Sequence, residues 1–274
     1  MNGRTLNSRI FSAAPDDADA QAAGVAARVL SYNVGNGLAP ADRLVHYLYY
    51  AEADIIGLQE LSDDQAREIE RQLYGAFPYR VLHPGGFAGK GLLSRFPIVS
   101  SESHPFADGR PDLSARLEIC GREAQVVVAH PRPPKVRMTG ATFDPVTIKQ
   151  IQEVVRIATS GVPSLVLGDF NMTDKQPEHR LLTAAGLIDA FHEVGSNAPS
   201  FPKRVGQPHR FGPRAQNITL PPVIRIDYIW YTREFIARSA GIGRDAGSDH
   251  LPVVASIDWR ETADPGEIEA FESL

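Results

Sequence analysis

The sequence has few of the features that mark secreted, membrane-spanning or broadly basic proteins. Its 274 residues include a single cysteine, Cys120, so an internal disulfide and a cysteine-rich metal site are excluded. No apolar run approaches the roughly 20 residues that a membrane helix requires. Residues 1–27 also lack the apolar core of a signal peptide. The cytoplasm is therefore the expected compartment, and Cys120, within a strand-like run, is expected to be a small core residue.

Acidic residues outnumber basic residues in the whole chain, but two segments contain basic residues only. The formal net charge is −5, yet residues 131–140 and 201–225 contain basic residues and no acidic ones. A local positive surface on an acidic body favours an anionic substrate, although the same charge could simply keep two loops soluble. The substrate-binding candidates from these segments are Arg132, Arg204, Arg210, Arg214 and Arg225.

The remaining composition is that of an ordinary globular protein, 43% hydrophobic and 22% charged. Polar motifs extend from Asn33 to His250 without an intervening linker. We therefore predict one catalytic domain over residues 28–260, a flexible arm over 1–27 and a tail over 261–274. Residues 195–222 are rich in proline and show no clear period, which is uncommon for a loop without a function.

Apolar, β-branched runs predict strands, and three periodic segments predict helices. The run Leu113–Ile119 alternates and is expected to be half exposed. Helices are predicted after Pro40, after the cap Asp144-Pro145, and over Pro177–Ala185. The predicted strands are Arg28–Tyr32, Asp54–Leu58, Tyr79–Leu82, Gly91–Ser94, Leu113–Ile119, Ala124–Ala129, Ser164–Leu167, Ile224–Tyr231 and Leu251–Ile257. Strands separated in part by helices and in part by short turns favour two packed mixed sheets with helices outside.

Polar residues follow or end several of these predicted strands. The motifs are Tyr32-Asn33, Gln59-Glu60, Ala129-His130, Gly168-Asp169-Phe170-Asn171, Arg225-Ile226-Asp227-Tyr228 and Gly247-Ser248-Asp249-His250. Strand ends present side chains to a shared site, and oxygen-rich groups suit a hard divalent cation. Together with the histidines, they indicate metal-assisted acid–base chemistry on a phosphate ester.

Two of these residues also have a simpler interpretation. Glu60 could cap a helix or form a surface salt bridge, and Asn171 could be a turn residue. If the strand pattern continues, however, Asp169 and Asn171 point the same way because they are two residues apart. Asp227 lies in an apolar run, where a buried carboxylate needs a partner, and His250 is the natural one.

Taken in order, these motifs resemble the endonuclease/exonuclease/phosphatase superfamily from about Val29 to Ile257. The resemblance implies a four-layer α/β sandwich, with two packed mixed β-sheets flanked by helices and a site where the sheets open. It also implies Mg²⁺, with Mn²⁺ as an alternative, held by Glu60, Asn33 and Asp249.

The resemblance further implies roles for five catalytic residues. Asp169 would position or deprotonate the attacking water, while Asn171 and His130 hold phosphoryl oxygens. Asp227 would orient His250, which contacts the scissile phosphate. These roles describe a phosphoesterase that uses direct water attack.

Three features depart from the nucleases of this superfamily. Gly35 stands where apurinic-type enzymes carry an aspartate, and no glutamate partner for His130 is evident between Tyr79 and Ser94. Extended basic DNA-binding insertions are also missing. The hydrophobic hairpin of secreted sphingomyelinases is missing as well. A small or lipid-derived phosphoester, bound under the loop of residues 195–222, is the first expectation for the substrate. A nuclease, with Phe201 and Phe211 stacking on bases, is the second. The same two rings could instead pack their loop onto the body of the protein. A non-catalytic binding protein is the third.

Overall fold

Two six-stranded sheets form the centre of the computed structural model, which describes residues 25–106, 110–137, 140–205 and 218–261. The first sheet has, in spatial order, Phe235–Ile242 (β15), Val253–Trp259 (β16), Ala27–Asn33 (β1), Ile55–Gln59 (β2), Lys90–Ser94 (β4) and Tyr79–His83 (β3). The second has Ile188–Asp189 (β11), Asp227–Tyr231 (β14), Ser164–Asp169 (β10), Arg122–Ala129 (β7), Asp112–Ile119 (β6) and Ile98–His104 (β5).

Smaller elements surround the two sheets. The helices are Ala41–Tyr50 (α1), Asp63–Gln72 (α2), Pro145–Ala158 (α3), His179–Ala184 (α4) and Ala190–Glu193 (α5), with a 3-10 turn at Gly86–Ala88. Two short hairpins pair Lys135–Arg137 (β8) with Gly140–Thr142 (β9), and Arg204–Val205 (β12) with Ile218–Thr219 (β13). Within these ranges, no helix is both long and apolar enough to cross a membrane.

Both large sheets are mixed. In the first, β1 and β2 run parallel, and in the second β7 and β10 run parallel, whereas the other neighbours are antiparallel. Parallel neighbours end at the same edge of a sheet. The pair β1 and β2 therefore delivers Asn33 and Glu60 to one edge, and the pair β7 and β10 delivers His130 and Asp169 to one edge.

Three apolar clusters fix the layer order. The central cluster lies between the sheets and joins residues such as Val29 and Ile55 to Val128 and Leu167. A second cluster packs α1 and α2 against the outer face of the first sheet. The third packs α3 and α4 against the outer face of the second. The predicted four-layer α/β sandwich is confirmed.

Local sequence explains where the helices begin. Asp144 accepts a hydrogen bond from the Thr147 amide and caps α3, as predicted. The predicted helices after Pro40 and within Pro177–Ala185 are also present as α1 and α4. Helix α2 was not predicted, although Ser62 and Gln65 form a capping box that is visible in the sequence.

Two expectations about burial were wrong. Most of β6 is buried rather than half exposed, because it lies between β5 and β7 and its inward residues join the central core. Only Arg116 and Glu118 remain accessible on this strand. Cys120 is exposed, because it stands in the turn after β6 with a φ of 51°. Most of the proposed arm and tail lies outside the described residues.

Candidate active site

Strand ends from both sheets meet at a cleft of about 550 Å³. Its lining contains five of the eight predicted catalytic and metal residues together with apolar side chains. The lining residues are Glu60, Phe87, Arg110, His130, Pro133, Pro134, Asp169, Asn171, Thr173, Gln176, Phe201, Ile224, Ile226 and His250. Residues far apart in sequence thus share one site, as the polar motifs predicted.

Asp169 lies at the centre of the polar contacts. Its side chain is buried, and its Oδ2 accepts a hydrogen bond from Asn33 Nδ2 at 3.0 Å. The same oxygen is 3.4 Å from His130 Nε2 and 3.6 Å from His250 Nε2. Burial alone would raise the pKa of Asp169, but His250, His130 and Asn33 hold it well below its usual range. Asp169 is therefore an ionised carboxylate with a fixed orientation.

His250, in the loop before β16, is held by a buried carboxylate from the second sheet. Its Nδ1 lies 3.1 and 3.0 Å from the two oxygens of Asp227, at the start of β14. The Ser200 hydroxyl donates to Asp227 Oδ2 at 2.6 Å and fixes the carboxylate from the other side. Burial would lower the pKa of His250, but Asp227, Asp169 and Asp249 together raise it to about 10. The imidazole is therefore protonated, with Nε2 directed toward Asp169.

Glu60 and His130 complete the opposite side of the polar cluster. Glu60 follows β2 with a φ of 55°, a left-handed conformation that is uncommon for glutamate and concentrated at functional sites. Its Oε1 is 3.8 Å from His130 Nε2. The His130 amide donates to Asp112 Oδ1 at 3.0 Å, so a buried residue on β6 fixes the start of the loop after β7.

Asn171 reaches the cleft by a turn. The strand ends at Asp169, and Asn171 has a φ of 53°, so the strand pattern does not continue and the alternative interpretation of Asn171 as a turn residue is confirmed. The Asn171 amide instead donates to Asp169 Oδ1 at 2.8 Å, and its Nδ2 donates to the Pro131 carbonyl at 3.0 Å. This turn still places the carboxamide in the cleft lining.

The donor set fits a hard divalent cation. Glu60 and Asp169 line the cleft and offer carboxylate oxygens, and Asn33 holds Asp169 through Nδ2 while its Oδ1 accepts from the Gly35 amide. Asp169, Asp227 and His250 also bring ligand atoms within 4.8 Å of one another. In that trio, however, Asp227 is already bonded to His250 and Ser200. The Glu60 end is therefore the better place for a metal.

Asp249 lies behind His250 rather than in the cleft lining. Its side chain is buried, with Oδ1 3.4 Å from the Ser248 hydroxyl, and its carbonyl accepts from the Lys203 amide at 2.6 Å. The negative charge of Asp249 helps to raise the pKa of His250. Asp249 therefore acts on the imidazole. The structure does not bring Asp249 together with Glu60 in the cleft lining.

Two of the arginines predicted to bind substrate are engaged elsewhere. Arg204 pairs with both oxygens of Asp245 at 2.7 and 2.5 Å, and it also donates to the Ser248 carbonyl. Arg225 is buried and pairs with Asp189 at 3.2 and 2.6 Å. Acidic partners outside the basic segments thus neutralise charges that appeared unopposed in the sequence.

The other three arginines have different positions. Arg132 is exposed and precedes Pro133 and Pro134 at the cleft wall. Arg210 and Arg214 lie outside the described residues, as does Phe211.

The buried pair of Arg225 with Asp189 leads to a prediction about stability. Its outcome distinguishes a structural role of Arg225 from a role in substrate binding. Arg225→Met should lower the free energy of unfolding by about 3–5 kcal/mol, because Asp189 would remain buried without a counter-charge. Urea unfolding measures this change. The matched control is Arg238→Met, since Arg238 forms an exposed pair with Asp258 and its loss should cost no more than about 1 kcal/mol. Unchanged stability in Arg225→Met, with weaker substrate binding, would contradict the structural role.

Sequence reasoning missed several residues that shape the cleft. Ser200 supports Asp227, and Asp112 anchors His130. The contact of Phe201 with His250, with ring centroids 4.6 Å apart, was also not predicted, because the sequence indicates Phe201 only as a ring that stacks on bases or packs its loop. Phe87 and Arg110 belong to the lining as well. None of these residues ends an apolar run, so the signal that identified the other site residues did not apply to them.

Comparisons with known proteins concern the family and the fold. The model of the endonuclease/exonuclease/phosphatase family matches residues 30–250. No curated protein is similar enough in sequence to count as a match.

Solved structures share the fold. An endonuclease/exonuclease/phosphatase from Beutenbergia cavernae is 19% identical, with a TM-score of 0.60 over 85% of this chain and 71% of that one. The human Nocturnin catalytic domain is 20% identical, with a TM-score of 0.61 over 85% and 93%. D. rerio TDP2, crystallised with a single-strand DNA product, is 15% identical, with a TM-score of 0.60 over 84% and 98%.

Proposed function

The chain belongs to the endonuclease/exonuclease/phosphatase family, whose members are hydrolases of phosphoester bonds, and on that premise we propose a Mg²⁺-dependent reaction with direct in-line attack by water. Mn²⁺ is the alternative ion. The observation that carries the proposal is that His250, held by Asp227, directs Nε2 to within 3.6 Å of Asp169 Oδ2 in a cleft that Glu60 also lines. Water attack in line with the departing group requires no covalent intermediate on the enzyme.

Asp169 and His250 have different roles in the reaction because they carry opposite charges. The ionised Asp169 accepts a hydrogen bond from the attacking water and orients it, since Asn33 and the Asn171 amide fix the carboxylate. The protonated His250 directs Nε2–H at a phosphoryl oxygen, where negative charge increases in the transition state. Asn171 and His130 provide further polar groups in the cleft lining for the same oxygens.

Glu60, with Asn33 beside it, would hold the metal. A bound Mg²⁺ would neutralise phosphate charge and polarise the phosphorus–oxygen bonds. The oxygen ligands at this end of the cleft suit Mg²⁺ or Mn²⁺ better than softer ions.

The cleft wall favours a substrate with an apolar alcohol group. Five apolar residues line the cleft: Phe87, Pro133, Pro134, Ile224 and Ile226. Phe87 and Ile224 remain 40% and 39% exposed, so apolar surface continues to the mouth. Burial of an apolar ester group against this wall would contribute binding energy in proportion to its area. A small or lipid-derived phosphoester fits these features.

A nuclease is the second candidate. The exposed Phe87 ring at the mouth could stack on a base, which is the way single strands are commonly held. D. rerio TDP2, of similar fold, was crystallised with a DNA product. The Phe201 ring, however, already packs on His250, and Arg204 is engaged by Asp245. These contacts leave fewer groups for a nucleic-acid backbone, so the small phosphoester is our first choice.

A substrate panel with and without Mg²⁺ tests the proposal. It should contain bis(4-nitrophenyl) phosphate, phospholipids, inositol phosphates, nucleotides, plasmid DNA and RNA. We expect hydrolysis of a small or lipid-derived ester, and its loss in excess EDTA. Preferential cleavage of DNA or RNA would support the nuclease instead. Undiminished turnover in excess EDTA would refute the metal-dependent mechanism.

Metal binding at Glu60 has a readout that is independent of turnover. Mg²⁺ should raise the melting temperature of the wild type, because an ion that binds only the folded state stabilises it. The shift should be much smaller in Glu60→Gln, which loses a negative oxygen ligand. Glu118→Gln changes an exposed carboxylate on β6 and should keep the full shift. An equal shift in Glu60→Gln would place the ion elsewhere.

A further inference from the structure

A smaller pocket opens beside the main cleft. It has a volume of about 270 Å³ and is lined by Thr173, Asp174, Lys175, Asn197, Pro199, Val223, Ile224, Arg225 and Tyr228. Thr173 and Ile224 also line the main cleft, so the two spaces share a wall. We call this space the side pocket. A molecule whose phosphate lies near Asn171 could extend past Thr173 into it.

Buried polar atoms without a hydrogen-bond partner among the described residues lie at the side pocket. The Tyr228 hydroxyl and the Arg225 Nε belong to pocket-lining side chains that are 0% and 7% exposed, and neither atom has a partner in the part of the chain that the structure describes. Two more such atoms, His179 Nε2 and Trp230 Nε1, belong to rings that pack on Tyr228. Buried polar groups without partners are costly, so a cluster of them indicates a place where something else supplies the bonds.

The charges around the side pocket indicate a neutral ligand. Arg225 is paired with Asp189, and the lining also holds one lysine, Lys175, and one acid, Asp174. These charges balance, so a second phosphate would gain little in this pocket. The side pocket offers both hydrogen-bond donors and hydrogen-bond acceptors. This combination suits hydroxyl groups, because a hydroxyl both donates and accepts.

Aromatic stacking is not available to the ligand. The Tyr228 ring is stacked with Trp230 at 5.2 Å, and the Arg225 guanidinium lies 4.3 Å from its centroid. The ring is fully buried, so only the hydroxyl end of Tyr228 has bonding capacity left. A planar base would find no free face on Tyr228. The volume is also several times the roughly 30 Å³ that one water occupies in the liquid.

We propose that the side pocket binds a neutral, hydroxyl-bearing group of the substrate, a polyol or a sugar, attached to the phosphate in the main cleft. The proposal rests on the proposed function, because it assigns the side pocket to part of the same phosphoester. The apolar wall and the side pocket would then receive the two different ester groups of one phosphodiester. Tyr228 would be a specificity-determining residue that does not touch the reacting atoms.

Binding of two phosphonates tests the proposal without turnover. 3,4-Dihydroxybutylphosphonate and butylphosphonate differ only in two hydroxyls, and neither has an ester bond to hydrolyse. In calorimetric titrations with Mg²⁺, wild type should bind the dihydroxy compound about tenfold more tightly. Tyr228→Phe removes only the hydroxyl and should abolish this difference while leaving butylphosphonate affinity unchanged.

Tyr231→Phe is the matched control. Tyr231 is a buried tyrosine on the same strand, packed in the central core, and its hydroxyl already accepts from the Ala237 amide. This variant should keep the full preference for hydroxyls. Equal affinities in wild type, no binding of either compound, or a preference that survives in Tyr228→Phe would overturn the assignment. A wild type that shows the preference but hydrolyses nothing in the panel would refute the proposed reaction alone.

Discussion

Asp169→Asn is expected to lower kcat by at least ~100-fold, the scale seen when a group that orients the nucleophile or stabilises charge is removed. The asparagine keeps the shape of the side chain and one acceptor oxygen for Asn33 or the Asn171 amide. It loses the negative charge that orients water and interacts with His250 and His130. Steady-state kinetics on the best substrate of the panel measures the loss.

A matched variant separates this effect from a general loss of negative charge. Asp258→Asn removes a carboxylate on β16 that forms an exposed pair with Arg238, and it should keep wild-type kcat. The melting temperature of both variants shows whether the fold is retained. A folded Asp169→Asn with more than half of the wild-type kcat would remove Asp169 from the mechanism.

His250→Ala should reduce kcat by a similar factor, because the donor to the phosphoryl oxygen is lost. Asp227→Asn should approach that loss, since the carboxylate holds Nδ1 and helps keep the imidazole protonated. Ser200→Ala should have a smaller effect in the same direction, because Asp227 would keep His250 and lose only one hydrogen bond. His46→Ala, on the exposed face of α1, serves as the control and should leave kcat unchanged.

The order of these losses in kcat shows whether Asp227 acts through its hydrogen bond to His250. We expect the largest loss in His250→Ala, then Asp227→Asn, then Ser200→Ala. Wild-type kcat in Asp227→Asn, together with an inactive His250→Ala, would show that the observed hydrogen bond is not needed for the reaction. A Ser200→Ala loss as large as that of His250→Ala would instead indicate that Ser200 has a direct role.

Local pattern was sufficient for much of the fold. The strands that carry Asn33, Asp169 and Asp227 are almost continuously buried, so they appear in the sequence as apolar runs. Strands β5 and β15 were missed, because both lie at sheet edges and keep much of their surface exposed. Helix α2 was missed because two of its three buried positions are Gln65 and Ala66, which contribute little apolar signal, and α5 was missed because it is only four residues long.

The sequence alone determined the sandwich and the family, and it predicted which polar residues gather at the strand ends. Strand ends are marked by a change from apolar to polar residues. This change predicted five of the site candidates: Asn33, Glu60, His130, Asp169 and Asp227. Only the tertiary structure decided which charges are available. Asp245 and Asp189 neutralise Arg204 and Arg225 across separations of 41 and 36 residues, which no local pattern encodes.

Tertiary structure also decided how Asn171 and Ser200 contribute. A left-handed turn, and not strand alternation, brings Asn171 to the cleft, and a long loop brings Ser200 to Asp227. The physical reason is that side-chain pairing depends on distance in space. Hydrophobic periodicity reports only which face of an element is buried.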